Sequence, residues 1–111
     1  MFTKATPEGY KQVLPGILLK TLAHGEKTLL AQFRLEEGAR LPLHSHPHEQ
    51  TGWLVSGRMR FTIAGETIEA GPGDSWCIPG GVLHSAEILA ETVLIEVFSP
   101  VREDYLAYQV S

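Results

Sequence analysis

A short segment of the chain, residues 44–50 (HSHPHEQ), places three of its five histidines at alternate positions beside a carboxylate and a carboxamide. Imidazoles, carboxylates and amides are side chains that bind transition-metal ions in proteins. In an extended strand, successive side chains point to opposite faces, so His44 and His46 are expected to project to the same side. The segment therefore predicts a metal site carried by a strand.

The same alternation indicates which residue after His44 and His46 provides the next metal ligand. Counting along the strand places Gln50 on the face of His44 and Glu49 on the opposite face, which favours Gln50. Pro47 can bend the strand and shift this count, so Glu49 stays open as the alternative. His48 is expected beyond the proline, at the mouth of the site, where it is a candidate acid/base catalyst.

Composition restricts the partners of the protein. The chain has 111 residues, a net charge of -4 and only nine scattered Lys and Arg residues, which argues against a nucleic-acid partner. No apolar run is long enough to span a bilayer, so a membrane partner is not expected. The single cysteine, Cys77, cannot form an internal disulfide, and no signal peptide is evident, so we predict a cytoplasmic location. A small molecule is the expected partner.

Apolar and polar residues alternate in short runs separated by glycine, which predicts strands throughout the chain. Two hairpins are predicted, one joining 17–23 to 27–35 and one joining 58–63 to 66–70. Further strands are predicted at 75–78, 82–89 and 91–98. The pattern predicts an all-β barrel or sandwich. We expect a single domain over residues 1–111, with a motif-bearing core at about 35–99 and terminal extensions packed on it.

A second motif, GDSWCIPGGVLH at residues 73–84, completes a resemblance to the cupin superfamily. The first cupin motif is matched in spacing by Gly38, His44, His46 and Gly57, and the second by Gly73, Pro79, Gly81 and His84. The resemblance implies a small conical jelly-roll barrel, also called a double-stranded β-helix. It also implies a shell for one divalent transition metal (nickel, zinc, manganese, iron or copper) formed by His44, His46, Gln50 and His84.

Two positions depart from the cupin pattern. Gln50 stands where the first motif has glutamate, and Ile88 stands where the second has asparagine. A neutral amide beside three neutral imidazoles leaves the charge of a divalent ion uncompensated, which favours an anionic ligand. We therefore expect the site to bind a small carboxylate or an anionic carbohydrate.

The segment 96–104 (EVFSPVRED) resembles the C-terminal signature of the small pectin-degradation cupins of the KdgF type. That family converts 4,5-unsaturated uronates into their linear keto form. The resemblance implies that Glu96, Phe98 and Arg102 face the substrate, Glu96 as an acid/base group in place of the family's aspartate and Arg102 as the group that binds the carboxylate. Trp53 and Trp76 are further candidates for packing on the sugar. The alternative places Phe98 in the core and pairs Arg102 with Asp104 at the surface.

Two other functions fit the same residues. A cupin with three histidines and one oxygen ligand can hold a metal for oxygen-dependent ring cleavage, and the same shell fits a non-catalytic protein that binds a small acid. Exposed strand edges, together with the resemblance to other cupins, predict a homodimer.

Overall fold

The computed structural model describes residues 1–109, and it is built almost entirely of antiparallel strands. The elements in this part of the chain are β1 (Lys11–Leu14), β2 (Ile17–His24), β3 (Leu29–Leu35), β4 (Arg40–His44), β5 (Glu49–Ile63), β6 (Glu66–Ala70), β7 (Ser75–Ile78), β8 (His84–Ser99) and α1 (Glu103–Leu106). Both predicted hairpins are confirmed, since β2 pairs with β3 and β5 with β6. The all-β, jelly-roll prediction is likewise confirmed.

The two longest strands, β5 and β8, pair with each other along their whole length and hold the fold together. The first half of β5 lies next to β7, and its second half lies next to β6. In the same way, the first half of β8 pairs with β4 and the second half with β3. The two halves of these strands therefore belong to two sheets, and the interior lies between them.

The passage from one sheet to the other occurs where the register of β5 shifts around Gly57. Gly57 has a φ of 102°, and a Cβ there would lie 2.3 Å from Oγ1 of Thr92 on β8. The Thr92 hydroxyl accepts a hydrogen bond from the Arg58 backbone N–H at 3.1 Å. Only glycine permits both this backbone angle and this close approach.

One strand prediction was wrong. The sequence predicts separate strands at 82–89 and 91–98, whereas the structure forms one continuous strand, His84–Ser99. The interruption in the apolar pattern at Ala90 and Glu91 marks the bend, where β8 crosses between the sheets without leaving its pairing with β5. A β-bulge produces the same loss of alternation as a turn when only the sequence is read.

Both ends of the described chain pack against β2. The Lys20 ammonium donates hydrogen bonds to the backbone carbonyls of Thr6 and Glu8. After β8 the chain passes through a cis Ser99–Pro100 peptide into α1, and the Thr21 hydroxyl donates to the Tyr105 carbonyl at 2.6 Å. This contact fixes the segment that carries Arg102.

Across residues 1–109, no helix is both long enough and apolar enough to cross a membrane.

Candidate metal centre and adjoining carboxyl group

Three histidines from separate parts of the chain meet in the interior. His44 is the last residue of β4, His84 is the first residue of β8, and the two are paired across the strands. His46 lies in the loop that joins β4 to β5. One ring nitrogen from each of the three lies within 4.8 Å of the others, a spacing that can hold a metal ion.

His46 reaches this position from a loop, although the sequence analysis placed it on the strand. The carbonyl of His46 accepts a hydrogen bond from the Gly81 backbone N–H at 2.8 Å. A Cβ at residue 80 would lie 2.3 Å from the Pro47 carbonyl oxygen, so the loop of the second motif packs directly on the loop of the first. The two motifs are therefore joined through their backbones as well as through their histidines.

The hydrogen bonds of the three rings fix which nitrogen is free. Each Nδ1 lies 2.8–3.0 Å from a backbone carbonyl, those of Pro42, His48 and Val82. A carbonyl only accepts, so each Nδ1 carries the proton and each Nε2 keeps its lone pair. Within residues 1–109, the buried Nε2 atoms of His46 and His84 have no hydrogen-bond partner. Such orphaned acceptors fit a metal ion.

Electrostatics also favours the neutral, ligating form of two of these rings. Burial lowers the pKa of His46, and the nearby charge of Arg102 lowers it further. Burial is also the main cause of the lowered pKa of His84. A neutral imidazole binds a cation without first releasing a proton at neutral pH.

The alternation along β5 separates Gln50 from Glu49, as the sequence predicts. Gln50 is buried and Glu49 is exposed. The Gln50 side chain lies next to the His46 ring, where it raises the pKa of that ring against the effect of burial. The residue with the position of a fourth ligand is therefore the amide. Together the four side chains offer three nitrogens and one oxygen, a set that suits several divalent transition ions.

A buried carboxyl group adjoins Gln50. Glu96 is 6% exposed, and its Oε2 accepts hydrogen bonds from Nε2 of Gln50 at 2.5 Å and from Nε1 of Trp76 at 2.9 Å. Burial raises the pKa of Glu96 to about 7, and the two hydrogen bonds and Arg102 act in the opposite direction. At neutral pH this carboxyl group is present in both protonation states, which suits proton transfer.

Arg102 borders the same region. Its side chain is 15% exposed, and its charge lowers the pKa values of His46, His84 and Glu96. The guanidinium donates through Nε and Nη2 to the Asp104 carboxylate at 3.1 and 2.7 Å, and this pairing lowers the pKa of Asp104. Arg102 thus both faces the histidine cluster and makes the pair with Asp104 that the alternative interpretation expected.

Phe98 forms part of the wall beneath Arg102. It is 1% exposed, its ring centroid lies 6.1 Å from that of His46, and the guanidinium carbon of Arg102 lies 5.2 Å from its ring. The guanidinium carbon also lies 3.9 Å from the ring centroid of Tyr105 of α1, which packs edge-on against Phe98. The two aromatic rings hold the arginine by cation–π contacts.

The remaining candidates, His48 and the two tryptophans, lie in different places. The His48 ring lies 5.5 Å from that of His46, and its charge acts on Asp104, so it borders the site. Trp53 is 46% exposed and lies on the outer face of β5, because it shares the alternation of Glu49. The structure does not bring Trp53 to the cluster. The other tryptophan candidate, Trp76, does reach the site, where its Nε1 donates to Glu96.

Comparisons with known proteins agree with this geometry. Residues 31–98 match the family model described as the cupin domain. The pectin degradation protein KdgF of Dickeya dadantii is 27% identical over 99 residues, which cover 87% of this chain and 90% of that protein. The oxalate decarboxylase OxdC of Bacillus subtilis is 30% identical over 80 residues, which are 68% of this chain and 21% of that protein. The chain therefore spans only about a fifth of the decarboxylase.

Two solved structures match nearly the whole chain. The structure of KdgF from a Halomonas species superposes with a TM-score of 0.88 at 30% identity and covers 94% of this chain and 96% of its own. An RmlC-like cupin from Shewanella frigidimarina gives a TM-score of 0.89 at 26% identity, with 94% of each chain covered.

Proposed function

Since the chain belongs to the cupin family, we propose that it is a metal-dependent enzyme that opens the ring of 4,5-unsaturated uronates to the linear keto form. The observation that carries the proposal is the meeting of a histidine cluster, a buried carboxyl group and a fixed guanidinium at one place. The similarity to KdgF proteins along most of the chain supports it.

His44, His46, His84 and the amide oxygen of Gln50 would hold the metal ion, which can be nickel, zinc, manganese, iron or copper. When bound, the ion supplies Lewis-acid stabilisation of negative charge on an oxygen of the substrate. Because the four ligands would all be neutral, they would leave the positive charge of the ion uncompensated. This charge favours a substrate that carries a carboxylate.

The reaction moves one proton within the substrate. Loss of the proton of the anomeric hydroxyl allows the bond from C1 to the ring oxygen to break, which leaves a carbonyl at C1 and an enolate at C4–C5. A proton added at C4 then gives the ketone at C5. The reaction is an isomerisation without net oxidation, so it requires no oxygen.

Glu96 is the group we assign to this proton transfer. Its pKa of about 7 lets the carboxylate accept the hydroxyl proton and the carboxylic acid return one to C4 at neutral pH. His48, at the border of the site, is the other candidate for this role.

Arg102 is the group we assign to the substrate carboxylate. The Nε and Nη2 atoms of Arg102 donate hydrogen bonds to Asp104. The Nη1 atom of Arg102 is therefore the nitrogen left to donate to an anionic ligand. Contacts with Phe98 and Tyr105 restrict the guanidinium, which reduces the entropy lost when a substrate binds.

The test is the loss of the unsaturated-uronate chromophore under anaerobic conditions, with the metal content of the protein measured and the metal-free protein as control. Turnover that depends on metal and not on oxygen is the expected result. Turnover only with oxygen would make the protein an oxygenase instead, and tight binding of uronates without turnover would make it a non-catalytic binding protein.

We further propose that the protein acts as a cytoplasmic homodimer. The outer face of β8, β5 and β7 has an uncharged group of residues at its centre: the exposed Thr51 and Trp53 and the half-buried Ile95 and Val97. Because these four residues carry no charge, a two-fold axis through the centre of this surface, here called the outer face, would place no like charges against each other there. The exposed free thiol of Cys77 supports a reducing compartment.

A further inference from the structure

Trp76 lies against a glycine on the neighbouring strand. It is paired across the strands with Gly52 of β5, which is itself paired with Glu96 of β8. A Cβ at residue 52 would lie 2.3 Å from the indole Cε2, so any other residue would displace the ring. The Trp76 ring also packs against Phe61, with the ring centroids 4.9 Å apart.

From β7, the Trp76 indole reaches the Glu96 carboxyl group on β8 across the intervening strand β5. Its N–H and the amide N–H of Gln50 bond the same oxygen of Glu96, Oε2. Two donors from two different strands on one oxygen oppose rotation of the carboxyl plane. Among residues 1–109, no side chain donates to Oε1, which is therefore the oxygen available to a ligand.

We propose that Trp76, seated on Gly52, is a positioning residue that orients Glu96 so that Oε1 faces the substrate and the amide oxygen of Gln50 faces the histidines. The catalytic part of this inference rests on the proposed function. Trp76 does not itself contact the reacting atoms. It acts by fixing the direction from which the carboxyl group transfers a proton, and a small misplacement of such a group slows the chemical step.

The first test removes only the indole N–H. Trp76→Phe should lower kcat by roughly tenfold to a hundredfold while KM changes by less than about threefold, because orientation acts at the chemical step. Trp53→Phe, the same change on the outer face, is the control and should leave both constants unchanged. Gly52→Ala, which displaces the ring without altering Trp76, should reproduce the loss.

A double variant separates positioning from a general structural effect. If Trp76 acts through Glu96, then Trp76→Phe combined with Glu96→Gln should be no slower than Glu96→Gln alone. Independent losses that multiply in the double variant would overturn the proposal, and so would full activity of Trp76→Phe.

The second test needs no turnover. In the ¹H–¹⁵N spectrum, the indole proton of Trp76 should exchange with solvent at least roughly tenfold more slowly than it does in the unfolded chain, and Glu96→Gln should shift the Trp76 indole signal but not that of Trp53. Exchange as fast as in the unfolded chain, or a Trp76 signal unmoved by Glu96→Gln, would overturn the proposal. A protein that opens no uronate but shows this shielded, Glu96-dependent proton rejects the proposed reaction and keeps Trp76 as the residue that orients Glu96.

Discussion

Gln50 places a neutral amide in the position of a fourth metal ligand. Glu96 accepts a hydrogen bond from the amide nitrogen, which leaves the amide oxygen for the histidine cluster. A carboxylate at this position would face both a metal ion and a second carboxyl group. The amide avoids that repulsion and keeps the charge of the ion available to a substrate.

We predict that Gln50→Glu binds the metal more tightly and anionic ligands more weakly, because the added charge cancels one unit of the ion's charge. Chelator competition measures the first effect, and titration of the metal-loaded protein with a uronate measures the second. Gln12→Glu makes the same change on the exposed strand β1, outside the outer face, and serves as the control. Unchanged ligand affinity in Gln50→Glu would count against direct coordination by residue 50.

Burial raises the pKa of Glu96, which suits the side chain to proton transfer. The same burial makes the folded protein less stable at neutral pH, where the carboxyl group would otherwise be ionised. Its pKa is about 7 in the fold and near 4.5 in the unfolded chain, so the unfolded chain loses this proton first as the pH rises. The contribution of Glu96 to stability is therefore fully present below pH 4.5 and is lost as the pH rises to about 7.

We predict that Glu96→Gln lowers kcat by roughly a hundredfold or more, yet stabilises the metal-free protein at pH 8 by on the order of 3 kcal/mol. Below pH 4.5 the two proteins should have similar free energies of unfolding, because both side chains are then largely neutral in the folded and in the unfolded chain. Denaturant titrations at the two pH values measure the difference. If Glu96→Gln kept full kcat and His48→Ala abolished it, the proton-transfer group would be His48.

Arg102 has a role that should appear in KM. A guanidinium that holds the substrate carboxylate in both the ground and the transition state contributes uniform binding, so Arg102→Ala should raise KM by roughly tenfold to a hundredfold with a smaller change in kcat. Arg58→Ala removes an arginine that is 56% exposed and is the matched control. A loss confined to kcat would place Arg102 in the chemical step instead.

At the scale of elements, the bend in β5 and β8 determines which residues can meet. His84 begins β8 in one sheet, and Glu96 and Phe98 lie near its end in the other. The site forms only because both halves of this strand face the same interior. Gly57, at the bend, is therefore a structural requirement of the site although it contacts no ligand.

We predict that Gly57→Ala lowers the free energy of unfolding by about 3 kcal/mol or more, because the new Cβ meets Thr92 and the backbone angle is strained. Gly65→Ala is the matched control. Residue 65 also has a positive φ, but nothing lies within 4 Å of its Cβ position, so the loss should be only about 1–2 kcal/mol. Equal losses from the two changes would show that the contact with Thr92 contributes little.

At the scale of the whole molecule, the outer face is the surface at which we propose that a second copy of the chain binds. Its centre is uncharged and includes a tryptophan that is 46% exposed. We predict that Ile95→Glu converts the dimer to a monomer in sedimentation experiments, because it places a charge near its symmetry mate.

Ile68→Glu, on the exposed strand β6, introduces the same charge outside the outer face and should leave the dimer intact. A wild-type protein that sediments as a monomer at all concentrations would reject the dimer. A dimer unaffected by Ile95→Glu would place the interface elsewhere.

The sequence by itself determined the features that depend on local geometry. Alternation along a strand has a fixed period, so the inward position of Gln50 and the outward position of Glu49 could be read from the sequence. The same count, carried three residues further, would have placed Trp53 outside. Turn residues fixed both hairpins, because glycine and short polar segments have few alternatives to a turn.

Only the tertiary structure decided what depends on pairing between distant strands. The register of β5 with β7 and β8 places Trp76, Gly52 and Glu96 in one row, and no local pattern specifies that register. The continuity of β8 through its bend and the attachment of the His46 loop to Gly81 likewise arise from backbone contacts between separate segments. Residue types and spacing can therefore predict which groups the site contains, whereas the bonds that orient them follow from how the two sheets close on each other.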